Sequence, residues 1–275
     1  MTTHERWLLA AVLGVGAGAL AGMDRAAPPP HGALERVAAA LSRDTTGRAL
    51  TRDEVLDRLA RATERTPADL TSADLSGLDL SGVDFKQANL TGARLVRTKL
   101  SGAKLFGTTL SHAIAREADF SHATLDVAVA RQADFTRAVF RDASLYATIL
   151  IGADLTEADL TNARVIAALD DAKLVRAKLV GANFGADPGN QPMGLMFTNL
   201  TDADLTGADL TRANLRKVAL VRANLTNADL TRADLTGANL AGAILRSIRG
   251  RGTIIGLNKA KNVDQAVTGD STPRQ

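Results

Sequence analysis

From Ala68 to Leu245 the chain repeats a five-residue pattern of apolar and polar positions. The pattern is purest between residues 201 and 240, TDADLTGADLTRANLRKVALVRANLTNADLTRADLTGANL, where eight units stand in an unbroken row. Each unit places a small residue, a polar residue and then Leu, as in Ala203-Asp204-Leu205, followed by two mostly polar positions. On extended backbone, residues two apart share a side, so Ala203 and Leu205 face inward and Asp204 faces out. Five is odd. A straight strand with this repeat turns its next Ala and Leu to the wrong face, so the chain must bend once per unit to restore the parity. A helix fits worse, because positions five apart precess around 3.6 residues per turn and Thr, Asp, Asn and Gly are weak helix formers. A short internal period of this kind marks a solenoid.

These residues resemble the pentapeptide-repeat family, whose motif is a small residue, Asp or Asn, Leu or Phe, Ser or Thr, and a variable residue. The resemblance implies an all-β solenoid, a right-handed quadrilateral β-helix with four units per coil, stacked Leu and Phe in its core and small residues at its corners. Central residues run every five from Leu70 to Val165, then from Leu169 to Phe184, then from Leu200 to Leu245, which places the repeat domain at 67–247. With coils spaced by about 4.8 Å, the rod is on the order of 40 Å long.

Several irregularities interrupt the pattern. Phe85, Phe120, Phe135 and Phe140 replace Leu at central sites, while Ala115 and Ala130 are small enough to leave gaps. From Val165 to Leu169 the spacing is four, a deletion expected to distort one coil. The segment 185–198, with two Pro and two Met, reads as a loop bulging from a corner, where solenoids accept insertions. Beyond Leu245 the pattern decays, and 248–275 is expected to form a C-terminal cap and a frayed tail.

Ahead of the repeats, residues 1–22 combine a short head containing Arg6, an apolar run from Trp7 to Gly22 and a small-x-small site at Ala19-Leu20-Ala21. That is the layout of a signal peptide, with an uncleaved N-terminal anchor as the second reading, since the run is shorter than the ~20 residues of a membrane span. An exported, periplasmic or secreted location is expected, with membrane-anchored or cytoplasmic alternatives. Residues 23–66 read as a linker and helical cap. Pro28-Pro29-Pro30 is stiff, Leu34, Val37, Ala38 and Leu41 recur at helical spacing, and Thr51-Arg52-Asp53-Glu54 has the form of a capping box with Val55, Leu56 and Leu59 on one face. One of these two helices is expected to cover the open first coil. Asp44 to Glu54 has a superficial likeness to a calcium loop, but aligning Glu54 with the last ligand places Arg43 at the first.

Charge narrows the function. Residues 68–247 hold 19 Lys and Arg against 20 Asp and Glu, so the overall +3 arises outside the repeats. The quinolone-resistance members of the family are implied to bind DNA gyrase through a likeness to duplex DNA in shape and negative charge, and a nearly neutral rod lacks that charge. Arg94, Arg97, Lys99 and Lys104 cluster without interleaved aromatic residues, so no nucleic-acid partner is expected. The chain has no Cys, and His112 and His122, two units apart, project from opposite sides of a four-sided coil. No catalytic residue, cofactor or metal site is therefore expected. Asp79, Asp119, Asp159, Asp209 and Asp229 fall in one column interrupted by Lys99 and Lys178, and read as solvated partners of backbone and cations.

Sorting the units by face exposes one further irregularity. The face followed through Leu110, Ala130, Leu150, Leu169 and Leu220 carries Val129, Ile149, Ala168 and Ala219 where Asp or Asn is expected, with Ile151 and Val221 at the next outward site. An adjacent face stacks Phe106, Tyr146 and Ile166 outward. Exposed apolar patches mark contacts, and three coverings are open here: the helices before residue 66, the 185–198 loop, or another protein or second copy. The sequence thus predicts a non-enzymatic structural or protein-interaction module of the cell envelope, contacting a protein partner or a second copy, and touching a membrane only through an uncleaved N-terminal segment. The alternative is a cytosolic DNA mimic binding gyrase.

Overall fold

The computed structural model describes residues 49–63, 65–185 and 197–269. Parallel pairing joins each outward polar position to the one twenty residues further on: Asp69 to Asn89, Asn89 to Thr109, Thr109 to Val129. Every fourth unit therefore lies above the first, and four sides of five residues make one coil. The sides are here named face A (through Asn89 and Ile149), face B (Arg94 and Asp154), face C (Lys99 and Asp159) and face D (Lys104 and Arg164). Each side contributes only short pairings, Leu70 N–H to the Asn89 carbonyl at 2.8 Å and Asn89 N–H to the Ala68 carbonyl at 2.9 Å. The central Leu and Phe and the preceding small residue point inward and form one continuous buried cluster.

The bend that the odd period demands is a tight turn. Ala73 N–H donates to the Leu70 carbonyl at 3.1 Å, closing the turn around Thr71 and Ser72. Ser72 has φ 55, the left-handed conformation a type II turn requires at its third residue, and the same position is left-handed around the rod. The Asp or Asn of the motif serves this turn: Asp204 Oδ1 accepts from Thr206 N–H at 3.0 Å, and Asn224 Oδ1 from Thr226 N–H at 3.1 Å. A short side chain accepting from the backbone two residues ahead stabilises a turn in sequence-local fashion.

Core irregularities compensate one another. The coil that holds Ala115 also holds Phe120, and the coil that holds Ala130 holds both Phe135 and Phe140. Phe120 and Phe140 stack at 4.8 Å on face C, and Phe135 meets both edge-on at 5.7 and 5.2 Å. Large rings thus fill the space that two alanines leave. Buried threonines at small positions are satisfied as well, Thr98 Oγ1 on the Leu75 carbonyl and Thr148 Oγ1 on the Leu125 carbonyl, both at 2.9 Å.

Face order survives both interruptions. Ile149 pairs with Ala168, nineteen residues on, and Ala168 with Asn199, thirty-one on, after which the spacing returns to twenty. Most of the inserted segment, 186–196, lies outside the described residues. Its flanks belong to the ladder: Gly185 N–H bonds Asn183 Oδ1 at 3.1 Å, and the buried Thr198 donates to the Val165 carbonyl at 2.6 Å.

At the first coil, helix α1 spans Arg52–Arg61 and begins with the expected capping box, Thr51 Oγ1 accepting from Glu54 N–H and Glu54 Oε2 from Thr51 N–H. Its Val55 and Leu59 are buried in the same cluster as Leu70 and Leu75. Arg52 Nε bonds the Asp79 carbonyl at 3.0 Å and Lys86 Nζ the Leu59 carbonyl at 3.3 Å. The helix expected around Leu34 to Leu41 and the apolar segment 7–22 lie outside the described residues, among which no helix is long and apolar enough to cross a membrane.

The ladder does not stop at Leu245. Asp229 pairs with Arg249, Asp234 with Ile255, Asn239 with Lys261 and Ile244 with Val267, at spacings that grow from twenty to twenty-three. The last three sides are six residues long, each with a short 3-10 turn (Arg251–Thr253, Leu257–Lys259, Val263–Gln265) entered through a left-handed residue, Gly250, Gly256 or Asn262. What reads as decay in a five-residue register is one further coil in a six-residue register, with Ile254, Ala260 and Ala266 packed on the core.

Candidate contact faces

The outward column of face A is Asp69, Asn89, Thr109, Val129, Ile149, Ala168, Asn199, Ala219, Asn239 and Lys261. It carries no charge between Asn89 and Asn239. The predicted stacking of Val129 on Ile149 and Ile149 on Ala168 is present, and these side chains are half-buried by their neighbours. None of Val129, Ile149, Ala168 or Ala219 can supply the carboxylate or amide oxygen that caps the turn elsewhere.

The apolar surface is smaller than the sequence suggests. Asn199 Nδ2 bonds Asp170 Oδ1 between the layers of Ile149 and Ala219, so Val129, Ile149 and Ile151 form one patch and Ala219 and Val221 another. Phe106 and Tyr146 are likewise separated, because Asp126 occupies the layer between them and accepts from Tyr146 N–H at 3.0 Å. Tyr146 has the Arg164 guanidinium 4.2 Å above its ring. Phe106, 51% exposed, lines a shallow recess of about 500 Å³ with Ala62, Thr63, Asp84, Lys86, Gln87 and Lys104. Ile166 corrects the expectation outright. It is only 2% exposed, because the unit that follows Val165 is one residue short and draws Ile166 and Ala167 together into the corner. Sequence reasoning also missed Val127 and Ala147, which border Val129 and Ile149 at the D–A corner; the signal was an apolar residue where the turn prefers Gly or a polar side chain.

The other faces carry mixed charge, much of it paired between coils. On face C, Asp159 receives Arg141 Nη2 at 2.7 Å and Thr161 N–H at 3.1 Å, and Arg249 lies 3.2 Å from Asp229. On face D, Arg216 reaches Asp234 at 3.1 Å. Burial pushes the Asp159 carboxyl up, but the hydrogen bonds from Thr161 and Arg141 outweigh it and hold the group below its ordinary range. His112 and His122 sit at the A–B and C–D corners, on opposite sides of the rod. Among the described residues no three His, Asp or Glu converge on a point that could hold a metal ion.

A filled four-sided coil of five-residue units, capped turn by turn by its own Asp and Asn, defines a solenoid of the β-helix class. The sequence pattern of pentapeptide repeats matches in eight copies, over residues 68–105, 103–142, 139–166, 195–231 and 208–247. The chain belongs to the pentapeptide-repeat family. Among solved structures, it is similar to HetL, a pentapeptide-repeat protein involved in heterocyst differentiation regulation from the cyanobacterium Nostoc sp. strain PCC 7120, at 28% identity over 79% of this chain and 94% of that one, with a TM-score of 0.44. It is also similar to QnrB1, a plasmid-mediated fluoroquinolone resistance protein, at 16% identity over 70% and 90% with a TM-score of 0.40. Rfr23 from the cyanobacterium Cyanothece 51142 shares 27% identity over 50% of this chain and 64% of that one, with a TM-score of 0.22. No curated protein sequence matches the chain at a significant level.

Proposed function

We propose that this protein is a non-enzymatic interaction module of the cell envelope, a right-handed rod whose first coil is closed by α1 and whose contact surface is the apolar part of face A around Val129, Ile149 and Ile151. One observation carries the reading: where the outward columns of the other faces carry acids and bases, the column of face A holds no charge from Asn89 to Asn239, and at Val129, Ile149, Ala168 and Ala219 it gives up the Asp or Asn cap for an apolar side chain. A protein partner or a second copy, presenting an apolar strip of similar width, is the occupant such a surface suits. The filled core supports a binding rather than a catalytic role. The inter-coil ion pairs support this reading over a duplex mimic, since carboxylates answered by Arg leave little negative field to offer gyrase.

The test is the double variant Ile149→Asp with Val221→Asp, compared with the native chain by light scattering and by pull-down from envelope extracts. Loss of an oligomer or of a captured partner supports the face; unchanged mass together with unchanged partners sinks it. Location is tested separately, by fractionation of cells expressing the tagged full-length chain with sequencing of its mature amino terminus, where an intact cytosolic chain overturns the envelope assignment.

A further inference from the structure

The C-terminal part of face D differs from the rest of the rod in its charge. Along the C–D corner, Arg212, Arg232 and Arg251 follow one another in three successive coils. Along the D–A corner lie Arg216, Lys217 and Lys259. Between these two rows the outward column reads Asn214, Asp234 and Ile255. Six cations thus border a strip holding one carboxylate, and that carboxylate is already engaged by Arg216 at 3.1 Å. Among the described residues, Arg212, Lys217, Arg232, Arg251 and Lys259 form no ion pair, although ion pairs between coils recur elsewhere on the rod. Of the two face C acids beside the strip, Asp229 is taken by Arg249 at 3.2 Å, and Asp209 caps its own turn, accepting from Thr211 N–H at 3.0 Å.

Stacking makes this arrangement costly in isolation. Successive coils lie about 4.8 Å apart, so Arg212 and Arg232 repel each other within less than a Debye length of about 8 Å. The local sequence keeps these cations exposed. Arg212, Lys217 and Arg232 occupy left-handed turn positions, with φ 58, 59 and 59, which aim side chains out of the corner. Gly237 provides room for the Lys217 stem, whose Cγ would lie 3.4 Å from a Cβ placed at that glycine. In the last layer of the strip, between Arg251 of one row and Lys259 of the other, Ile255 is 52% exposed.

We propose that this strip docks the protein on an anionic phospholipid surface. Three features select a membrane over a nucleic acid. One side of a four-sided rod is flat, so both rows of cations meet a plane of headgroups together, whereas the convex backbone of a duplex touches them only in part. An exposed Ile between Arg251 and Lys259 at the end of the basic strip gains by entering the headgroup boundary and offers nothing to phosphates. The strip also has no aromatic side chain on which a base could stack. Each basic residue near an anionic leaflet adds roughly fivefold to partitioning, and five unpaired cations suffice for reversible binding. The strip shares no residue with the apolar patch on face A.

The experiment is vesicle co-sedimentation of the full-length chain, using phosphatidylcholine alone and phosphatidylcholine with about one third phosphatidylglycerol. The native chain is expected to partition at least ~10-fold better onto the anionic vesicles at low salt, with the gain lost as NaCl rises towards ~0.5 M. R212E/R232E is expected to abolish the gain and I255D to reduce it, whereas R94E/K99E, a reversal of equal charge at two cations that face Asp74 and Asp79, leaves it in place. The apolar segment 7–22 is common to every variant, so any contribution of its own cancels between the native chain and the variants. Equal binding to both vesicles, or equal loss with the two reversals, overturns the proposal. So does salt-sensitive binding to duplex DNA that R212E/R232E removes, if no vesicle preference accompanies it. Should R212E/R232E lose its cooperative melt, R212Q/R232Q and the salt response of the native chain discriminate between the same outcomes.

Discussion

Arg137 Nε donates to Glu157 Oε2 at 2.8 Å across two coils, though the residues stand twenty apart in the chain. Glu157 is also the acceptor for Arg176 Nε at 3.1 Å in the coil beyond, and Arg97 meets Glu117 at 2.8 Å below. All five residues occupy the same left-handed turn position, so the coil period alone aligns Arg97, Glu117, Arg137, Glu157 and Arg176 into a ladder of alternating charge. Glu157→Lys places three like charges in consecutive coils. The expected result is a melting temperature several degrees lower at low ionic strength, largely restored at ~1 M NaCl where the Debye length is about 3 Å. Thermal unfolding at the two salt concentrations checks this; a salt-independent loss means the ladder is not the cause.

Among the described residues, Val127 is the one β-branched residue at a left-handed turn position, with φ 63. Side chains without glycine's freedom cost roughly 1–2 kcal/mol there, and branching at Cβ makes the site worse. Val127→Gly is therefore expected to stabilise the fold by about 0.5–1 kcal/mol after glycine's own entropy cost. Denaturant unfolding measures it. Destabilisation of that size instead would mean that Val127 contacts outweigh the strain.

Ile149→Asn should separate stability from association. Asn at this position gains the turn-capping bond that Asn89 makes to Thr91 N–H at 3.0 Å, so the melting temperature is expected to hold or rise slightly. Any assembly through face A should weaken at the same time. Sedimentation velocity and a thermal melt on one sample read both quantities.

Asp159, Asp234 and Glu157 all titrate below their ordinary values. For both aspartates burial raises the pKa, but hydrogen bonds from Thr161 and Arg141, and from Thr236 and Arg216, outweigh it; for Glu157 the hydrogen bond from Arg137 leads. The unfolded chain then binds protons more readily than the folded one. Their contribution is present above the unfolded values of 3.8 and 4.5 and is lost as pH falls through the lower folded values. The denaturation midpoint is expected to stay level from pH 7 to 5 and to drop below about pH 4, with a shallower drop in Asp159→Asn.

Thr51→Ala removes one half of the capping box of α1. The expected cost is about 1 kcal/mol, confined to the amino-terminal end. Hydrogen exchange should quicken over 52–61 and stay unchanged over the coils around Leu150; uniform acceleration would show that α1 and the rod open as one unit.

What the sequence determined by itself was everything carried by periodicity and local chemistry. An odd repeat of small, polar and apolar residues requires one bend per unit, and Thr51 to Glu54 specifies a helix start through contacts three residues apart. Those relations are short-range, so Ala203-Asp204-Leu205 predicts its own inward and outward sides and the positions of Asp79, Lys99 and Asp159 in one column. Even the six-residue register of Ile254, Ala260 and Ala266, spaced like Gly250, Gly256 and Asn262, was legible, but only to a reading that allowed the period to change. Only the tertiary structure decided what depends on residues twenty or more apart. It kept face order through the deletion and the insertion, because each coil is templated by backbone pairing to the one below, as Ile149 on Ala168 and Ala168 on Asn199. It buried Ile166, divided the apolar face at Asn199 and Asp170, and set Ile255 between two rows of cations. Those outcomes rest on the coil closing on itself, which brings distant side chains together in a way that no local pattern encodes.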